Sequence, residues 1–260
     1  MDWDITQDIA ISRKILNETL KFHQSATWNQ SAVSKHKNIN QNIYNWALLN
    51  ERQAVIPPNS SEVILLNNSN FTHQGSQRNY DNNKILSFNT ISDLLKKSFG
   101  VPDPLSSRRY PSAGALYPIM PLFYLFNHEK IENFHSNGCY LFNPIENSLH
   151  CLKKWEDQEL KEVISSINPY DGLLSNFAIG YAIDIRKSIT KYRKRGYRHA
   201  LIEIGLMAQA FKESLKEISD FRMGELCHSG FNDNELTFNS GLNVRLAPVS
   251  LIQWFGVLKE

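Results

Sequence analysis

The sequence predicts an α+β fold. Apolar strand candidates and helical stretches interleave without the regular spacing of βαβ units. Two short apolar segments, Cys139 to Phe142 and Ser148 to Leu152, read as a hairpin around Asn143-Pro144. The chain has 260 residues, 42% of them hydrophobic and 21% charged. That is enough apolar material to bury a sizeable core in one large domain, or in a core domain with a smaller extension.

Residues 1 to about 85 form an N-terminal extension by composition. Ile9 to Phe22 carries apolar residues at helical spacing, and Ile43 to Leu49 predicts a second short helix. Polar, turn-rich stretches surround them at 38–42, 57–61 and 67–70. Glu62 to Leu66 is a short strand candidate. From about 86 to 260 the pattern tightens into a second domain. Ser87 to Ser98 predicts a helix capped by Thr90 or Ser92, with Ile91, Leu94 and Leu95 inward and Gly100 as its stop. A turn with Pro102 and Pro104 follows, then Arg108 to Pro118, which runs into a strand from Ile119 to Phe126. Ala178 to Ile185 predicts a strand. Residues 187 to 217 predict one long helix with Ala200, Leu201, Ile204, Met207, Ala208 and Phe211 on its apolar face. Ala247 to Trp254 predicts the last strand.

Composition excludes several classes. Lys+Arg 28 against Asp+Glu 26 gives a formal charge of +2, so no nucleic-acid or membrane-surface partner is expected. The longest apolar stretch, Pro118 to Phe126, is far too short to span a bilayer. The acidic start Met1-Asp2-Trp3-Asp4 lacks the basic and apolar regions of a signal peptide, so a cytoplasmic protein is expected. Cys139, Cys151 and Cys227 are scattered and odd in number, which suits a reducing compartment. The eight histidines show no HExxH or HxH spacing, and no metal site is expected.

Three segments could carry chemistry. Arg108 to Pro118 places two arginines, a serine and a glycine in a turn before a buried strand. Arginine bonds an anion bidentately, Ser112 donates a hydroxyl and Gly114 lets backbone N–H groups come close. It is neither a Walker loop nor GxGxxG, and composition alone favours a Pro-punctuated connection with solvated arginines. Lys191 to His199 carries six basic residues, counting the histidine, and two tyrosines. It reads as a polyanion site or as the solvated start of a helix. Lysine and tyrosine are poor bases at their ordinary pKa, but burial and charged neighbours bring either toward neutrality. Ser229 to Asp233 is a turn signal.

Together these segments resemble one family. Arg109 to Pro118 is similar to the RxPSAGALYP motif of the SagB/ThcOx-type dehydrogenases, a branch of the FMN-dependent nitroreductase superfamily. Lys191 to Arg198, followed by Ala200, Leu201, Glu203 and Gly205, resembles the KYRxRGYRxALxExG pattern of the azoline dehydrogenase subunits of microcin-type synthetases. Ser229 to Asp233 resembles the family's later Gly-(Phe/Tyr)-x-Asp turn. The likeness covers about residues 85 to 257.

The resemblance implies a nitroreductase-like fold, with a central, mostly antiparallel sheet flanked by helices. It implies a homodimer with FMN at the interface and residues from both subunits at each site. The implied reaction oxidises thiazoline or oxazoline rings of a ribosomally made precursor peptide to thiazoles or oxazoles. The implied companions are a YcaO-type cyclodehydratase and a peptide-binding subunit. Lys191 and Tyr192 match the family's catalytic pair, one as base for the acidic ring Cα–H and the other tuning it. Arg108 and Arg109 are candidates for the FMN phosphate. Ser112, Ala113 and Gly114 would contact the flavin or ribityl chain, Ser229 and Gly230 would approach from the other side, and Arg198 would bond the cofactor or a neighbour such as Glu203.

The chain departs from the family where nitroreductases carry an early Arg-x-Ser-x-Arg segment. Residues 70–78 lack it, which either moves phosphate binding onto Arg78, Arg108 or Arg109 or weakens it. Gln209-Ala210 and Leu206 replace the family's frequent Gln-Asn and His. Two other readings share the fold: a general NAD(P)H-dependent nitroreductase-like flavoenzyme, and a non-catalytic scaffold subunit of a peptide-modifying complex. The N-terminal extension is a candidate docking region.

Overall fold

A computed structural model describes residues 11–28, 41–50, 53–68, 74–103, 106–167, 172–218 and 222–259. Residues 9 and 10 of the first expected helix, Pro104, and the expected loop residues 38–40 and 69–70 lie outside these. By contacts, residues 1–32 group with residues 76–260, and residues 33–75 form a second unit.

The second unit contains α2 (Gln41–Asn50). The strand expected at Glu62 to Leu66 does not form. These side chains are exposed in both alternating directions, so no face exists to bury, and a lone strand has no ladder to stabilise it.

The larger unit holds α1 (Arg13–Ala26), α3 (Phe88–Phe99), β1 (Ile119–Leu125), β2 (Gly138–Asn143), β3 (Ser148–Lys154), α4 (Asp157–Ile167) and β4 (Phe177–Ile183). It continues with α5 (Ile185–Tyr192), α6 (Lys194–Ile218), β5 (Met223–His228), α7 (Asp233–Asn239) and β6 (Val249–Val257). The strands make one sheet in the order β3-β2-β1-β4-β6-β5, and every pairing is antiparallel. The fold is α+β, as expected.

Both faces of the sheet are covered, so its central strands read as continuous apolar runs. Phe123, Ile179, Tyr181 and Phe255 pack on one face with Leu94 and Phe99 of α3 and Met207 and Phe211 of α6. Leu122, Tyr124, Ala178 and Trp254 pack on the other with Val163 of α4 and Leu236 of α7. Gly180 is required at its position, because a Cβ would lie 2.3 Å from the buried ring of Tyr124.

Several expectations are corrected. The cap of α3 is Ser87, whose hydroxyl accepts the N–H of Thr90 at 3.0 Å; Thr90 sits inside the first turn as donor. The stretch 187–217 is two helices rather than one. Arg193 breaks it with φ 51° and ψ −141°. Leu201 is 43% exposed and lies off the buried stripe. The hairpin strands and β4 form where expected, while α4, β5 and α7 are additional to the expected elements.

Candidate functional site

The antiparallel register brings four segments to one end of the sheet. Ile119 opposes Ile183, Ala182 opposes Val249, and Ile252 opposes His228. The turn before β1, the start of α5 after β4, the loop before β6 and the turn after β5 therefore share that end.

The turn before β1 is a short 3₁₀ segment, Ala113–Ala115. Three of its residues have left-handed backbone: Gly114 at φ 64°, Ala115 at φ 55° and Tyr117 at φ 47°. The Ser112 hydroxyl accepts the N–H of Tyr117 at 2.8 Å and donates to Oε2 of Glu203 on α6 at 2.5 Å. Glu203 is buried, which pushes its carboxyl above the ordinary range; the Ser112 hydroxyl opposes that shift. Its second oxygen, Oε1, is buried without a hydrogen-bond partner.

Gly114 lies against the Lys-Tyr pair. A Cβ at Gly114 would stand 2.6 Å from the Tyr192 hydroxyl and 2.9 Å from Lys191 Nζ. The two motifs separated by about eighty residues of sequence are thus neighbours within one chain. Lys191 Nζ lies 5.4 Å from the centre of the Tyr192 ring. The edge of His199, one turn into α6, packs on Tyr192 with ring centres 5.1 Å apart. The Nδ1 atom of His199 is buried without a hydrogen-bond partner.

The two arginines of the first motif differ in employment. Arg109 makes two bonds to Glu217, 2.9 and 2.5 Å, and reaches Glu213 at 3.5 Å. Those bonds, with Lys97 at 2.7 Å, push the Glu217 carboxyl down to about 2. Arg108 stacks over the Tyr117 ring at 3.9 Å and donates to the Tyr110 hydroxyl at 3.1 Å. It also lines a cavity of about 380 Å³ together with Lys187, His150, Met120 and Leu141. Arg78 is exposed.

Arg198 stands elsewhere. It lines a depression of about 600 Å³ between α1 and α6, with Glu18, Phe22, Tyr197 and Leu201. Ser229 and Gly230 follow β5, three strands from β1, a lateral separation of about 14 Å at ordinary strand spacing. Their turn is anchored by His228. The Trp254 indole donates to His228 Nδ1 at 3.3 Å, so Nε2 carries the proton and faces the Gly230 carbonyl at 3.3 Å. Burial pushes the His228 pKa down, in keeping with a neutral ring.

The structure therefore brings Ser112, Ala113, Gly114, Lys191 and Tyr192 together and leaves Arg198, Ser229 and Gly230 apart from them. Glu203, expected to bond the cofactor or Arg198, instead accepts from Ser112, and sequence reasoning missed His199 beside Tyr192 and Lys187 beside Arg108. For Glu203 one signal was present. Glu203 falls at helical spacing with Ala200, Ile204 and Met207, a carboxylate on an apolar stripe.

The residues at this turn fit a flavin by the chemistry of their donor set. An ammonium, a phenol, a serine hydroxyl and a small-residue backbone border one another, with a guanidinium beside them. Among the described residues, no helix is long and apolar enough to cross a membrane.

A scan against profiles of known protein families returned no match. The microcin B17-processing protein McbC of Escherichia coli is 31% identical over 214 residues, covering 80% of this chain and 77% of McbC. A chain of the E. coli microcin synthetase McbBCD complex, solved with truncated pro-MccB17 bound, superposes with a TM-score of 0.82 at 25% identity, over 98% of this chain and 97% of that one. A nitroreductase-class protein of Ralstonia eutropha superposes with a TM-score of 0.58 at 18% identity, over 80% of this chain and 97% of that one, and shares the fold. By the 31% identity to McbC across most of both chains, this chain belongs to the McbC family of microcin-processing proteins, and its fold is nitroreductase-like.

Proposed function

We propose that the chain is the FMN-dependent azoline dehydrogenase subunit of a peptide-modifying synthetase. It oxidises thiazoline or oxazoline rings in a ribosomally made precursor to thiazoles or oxazoles. The observation that carries this reading is the seating of the Gly114 turn against Lys191 and Tyr192. The family's two long motifs meet in one place, and the pair that could move a proton lies within that junction.

Aromatisation removes two hydrogens from the ring. The Cα–H is the acidic one, because the adjacent carbonyl and the ring C=N stabilise the resulting carbanion. Tyr192 or Lys191 takes that proton, and the neighbouring member of the pair tunes its basicity. Flavin, when bound, supplies the two-electron acceptor for the second hydrogen. Ser112, Ala113 and Gly114 would hold it through backbone and hydroxyl. Arg108 and Lys187 would bind its phosphate in this reading, which the engagement of Arg109 by Glu217 supports.

A second copy of the chain completes the site in this reading. Two features support a homodimer. Ser229 and Gly230 stand about three strands from Gly114 and would serve the other copy's site. The outward face of α6 presents Leu201, Ile202 and Leu206, each exposed, beside Gly205. The companions are a precursor peptide, a YcaO-type cyclodehydratase and a peptide-binding subunit, and the N-terminal extension is a docking region for them. The compartment is the cytoplasm.

The test is the visible spectrum of the purified protein, with identification of any released chromophore, followed by mass spectrometry of an azoline-bearing peptide. Released FMN and the loss of two hydrogens per ring support the reading. A colourless chain that takes up no added FMN overturns it and favours the scaffold reading. Turnover of nitro compounds with NADPH but not of azolines favours the general nitroreductase reading.

A further inference from the structure

Three left-handed residues within four positions make the 114–117 turn unusual, because two of them, Ala115 and Tyr117, are not glycine. Such backbone persists only where its surroundings over-determine it. Here the surroundings are few and identifiable. Ala115 N–H returns to the Ser112 carbonyl at 3.1 Å, and Tyr117 N–H bonds the Ser112 hydroxyl. Tyr117 is held from outside by the Arg108 guanidinium and by the edge of Tyr110. Ser112 is thus the hub of the turn, and what fixes its hydroxyl is Glu203.

Glu203 is an expensive choice for that task. It is 3% exposed on a stripe otherwise made of Ala200, Ile204 and Met207, and one of its oxygens has no partner. A hydrophobic residue there would fill the space without an unsatisfied polar atom. The carboxyl sits on a helix of 25 residues, so it gives the turn a rigid anchor that a loop residue would not.

We propose that Glu203 is a positioning residue for the Lys191–Tyr192 pair: through Ser112 it holds the strained Gly114 turn in the conformation that seats against both side chains. This rests on the functional reading above for its consequence in catalysis, but not for its effect on the turn. Glu203 does not touch the reacting atoms. Its work is to hold the Ser112 hydroxyl in the rotamer that donates to the carboxyl and accepts from Tyr117. The neutral, isosteric amide of glutamine offers the same acceptor, so the demand is for shape and an oxygen rather than for charge.

The experiment compares Glu203→Ala, Glu203→Gln, Ser112→Ala and the double Ser112→Ala/Glu203→Ala variant, each as the flavin-loaded synthetase. Glu203→Ala and Ser112→Ala are expected to lower kcat for azoline oxidation by about tenfold to a hundredfold, the range that small misplacement of reacting groups produces. KM is expected to stay within about threefold, since ground-state binding is not what is lost. Glu203→Gln recovers most of the rate. The double variant is no slower than Ser112→Ala, because both changes cut one chain of bonds. Hydrogen exchange at the Tyr117 amide, which needs no flavin, is faster in both alanine variants and unchanged in Glu203→Gln.

Additive losses in the double variant, a Gln variant as slow as the Ala variant, or unaltered Tyr117 exchange in Ser112→Ala overturn the proposal. Should Glu203→Ala fail to fold, Ser112→Ala, which deletes one oxygen, decides. A wild-type chain that binds no flavin or leaves azolines untouched sinks the functional reading instead, and the exchange series still judges the role of Glu203 in the turn.

Discussion

The α-carbon of Gly114 faces the hydroxyl of Tyr192 so closely that a methyl group there would lie 2.6 Å from the phenolic oxygen and 2.9 Å from Lys191 Nζ. Gly114→Ala therefore meets two obstacles, a left-handed φ of 64° and a steric collision with the pair. The first costs about 1 kcal/mol of stability. The second is relieved only if Tyr192 or Lys191 moves, and displacing the proposed base should cost on the order of a hundredfold in rate. Turnover of an azoline peptide, read beside a thermal melt, should show a large loss of activity with a modest loss of stability. A variant with normal turnover would show that the contact between turn and pair is idle.

Tyr192→Phe and Lys191→Met separate binding from chemistry. Both retain the bulk of the side chain and remove the group proposed to handle the ring proton. Azole formation should fall by roughly a hundredfold or more, the usual contribution of general base catalysis, while released FMN stays near one per subunit. If both variants form azoles at the wild-type rate, the base lies elsewhere. If flavin is lost along with activity, the pair serves the cofactor rather than the ring proton.

How much of this was legible in the sequence differs by residue. The Arg109 to Pro118 motif, the strand it enters and the Lys-Tyr pair stand in the chain as patterns, and the fold class followed from them. That Gly114 touches Tyr192 did not. The contact arises from strand order, which puts β1 beside β4 and so the turn beside α5. The break at Arg193 was hidden because an arginine at positive φ has no local signature. The edge strand β5 was hidden because Gly224 and Glu225 interrupt its apolar pattern, and Glu225 is buried only by its pairings with Lys212 and Gln253.

The two arginines of the first motif should behave differently. Arg109 is held bidentately by Glu217, whose carboxyl is pushed down to about 2 by Arg109 first and Lys97 second. Arg108 lines the cavity beside Lys187. Arg108→Ala should weaken FMN binding by about tenfold, the loss of one charge-assisted hydrogen bond to phosphate. Arg109→Ala should leave FMN affinity within about threefold and act instead on the docking of the turn to α6, weakly, because the ion pair is largely exposed to solvent. Titration by flavin fluorescence quenching distinguishes the two, and equal losses would place both guanidinium groups at the phosphate.

Acid sensitivity should set in early. Burial lowers the pKa of His23, whose Nδ1 meets the Tyr197 hydroxyl at 2.7 Å, and of His228, whose Nδ1 accepts from Trp254. The unfolded chain then binds more protons than the folded one below the ordinary histidine pKa of about 6.5. Stability is fully present above that pH and declines as pH falls toward the depressed folded values, before the carboxylates titrate. The pH dependence of the melting temperature between about 7 and 5 measures this. His228→Asn should flatten it, as should His23→Gln; a slope unchanged in both variants would assign the acid limb to other groups.

Gly196 tests the element that carries the pair. A Cβ at Gly196 would fall 1.8 Å from the carbonyl oxygen of Ser188, a backbone atom in the helix that ends at Tyr192. No rotamer change relieves such a collision, so α6 must separate from α5. Their separation would also pull His199 off Tyr192, since the one ring rides on α6 and the other on α5. Gly196→Ala should therefore destabilise the chain by about 2 kcal/mol or more, in the range of overpacking a buried contact. For a domain of this size that lowers the melting temperature by roughly 4 to 8 °C. The surviving folded fraction should retain flavin but oxidise azolines slowly. A Gly196→Ala protein of unchanged stability would mean that the two helices pack more loosely than the 1.8 Å approach requires.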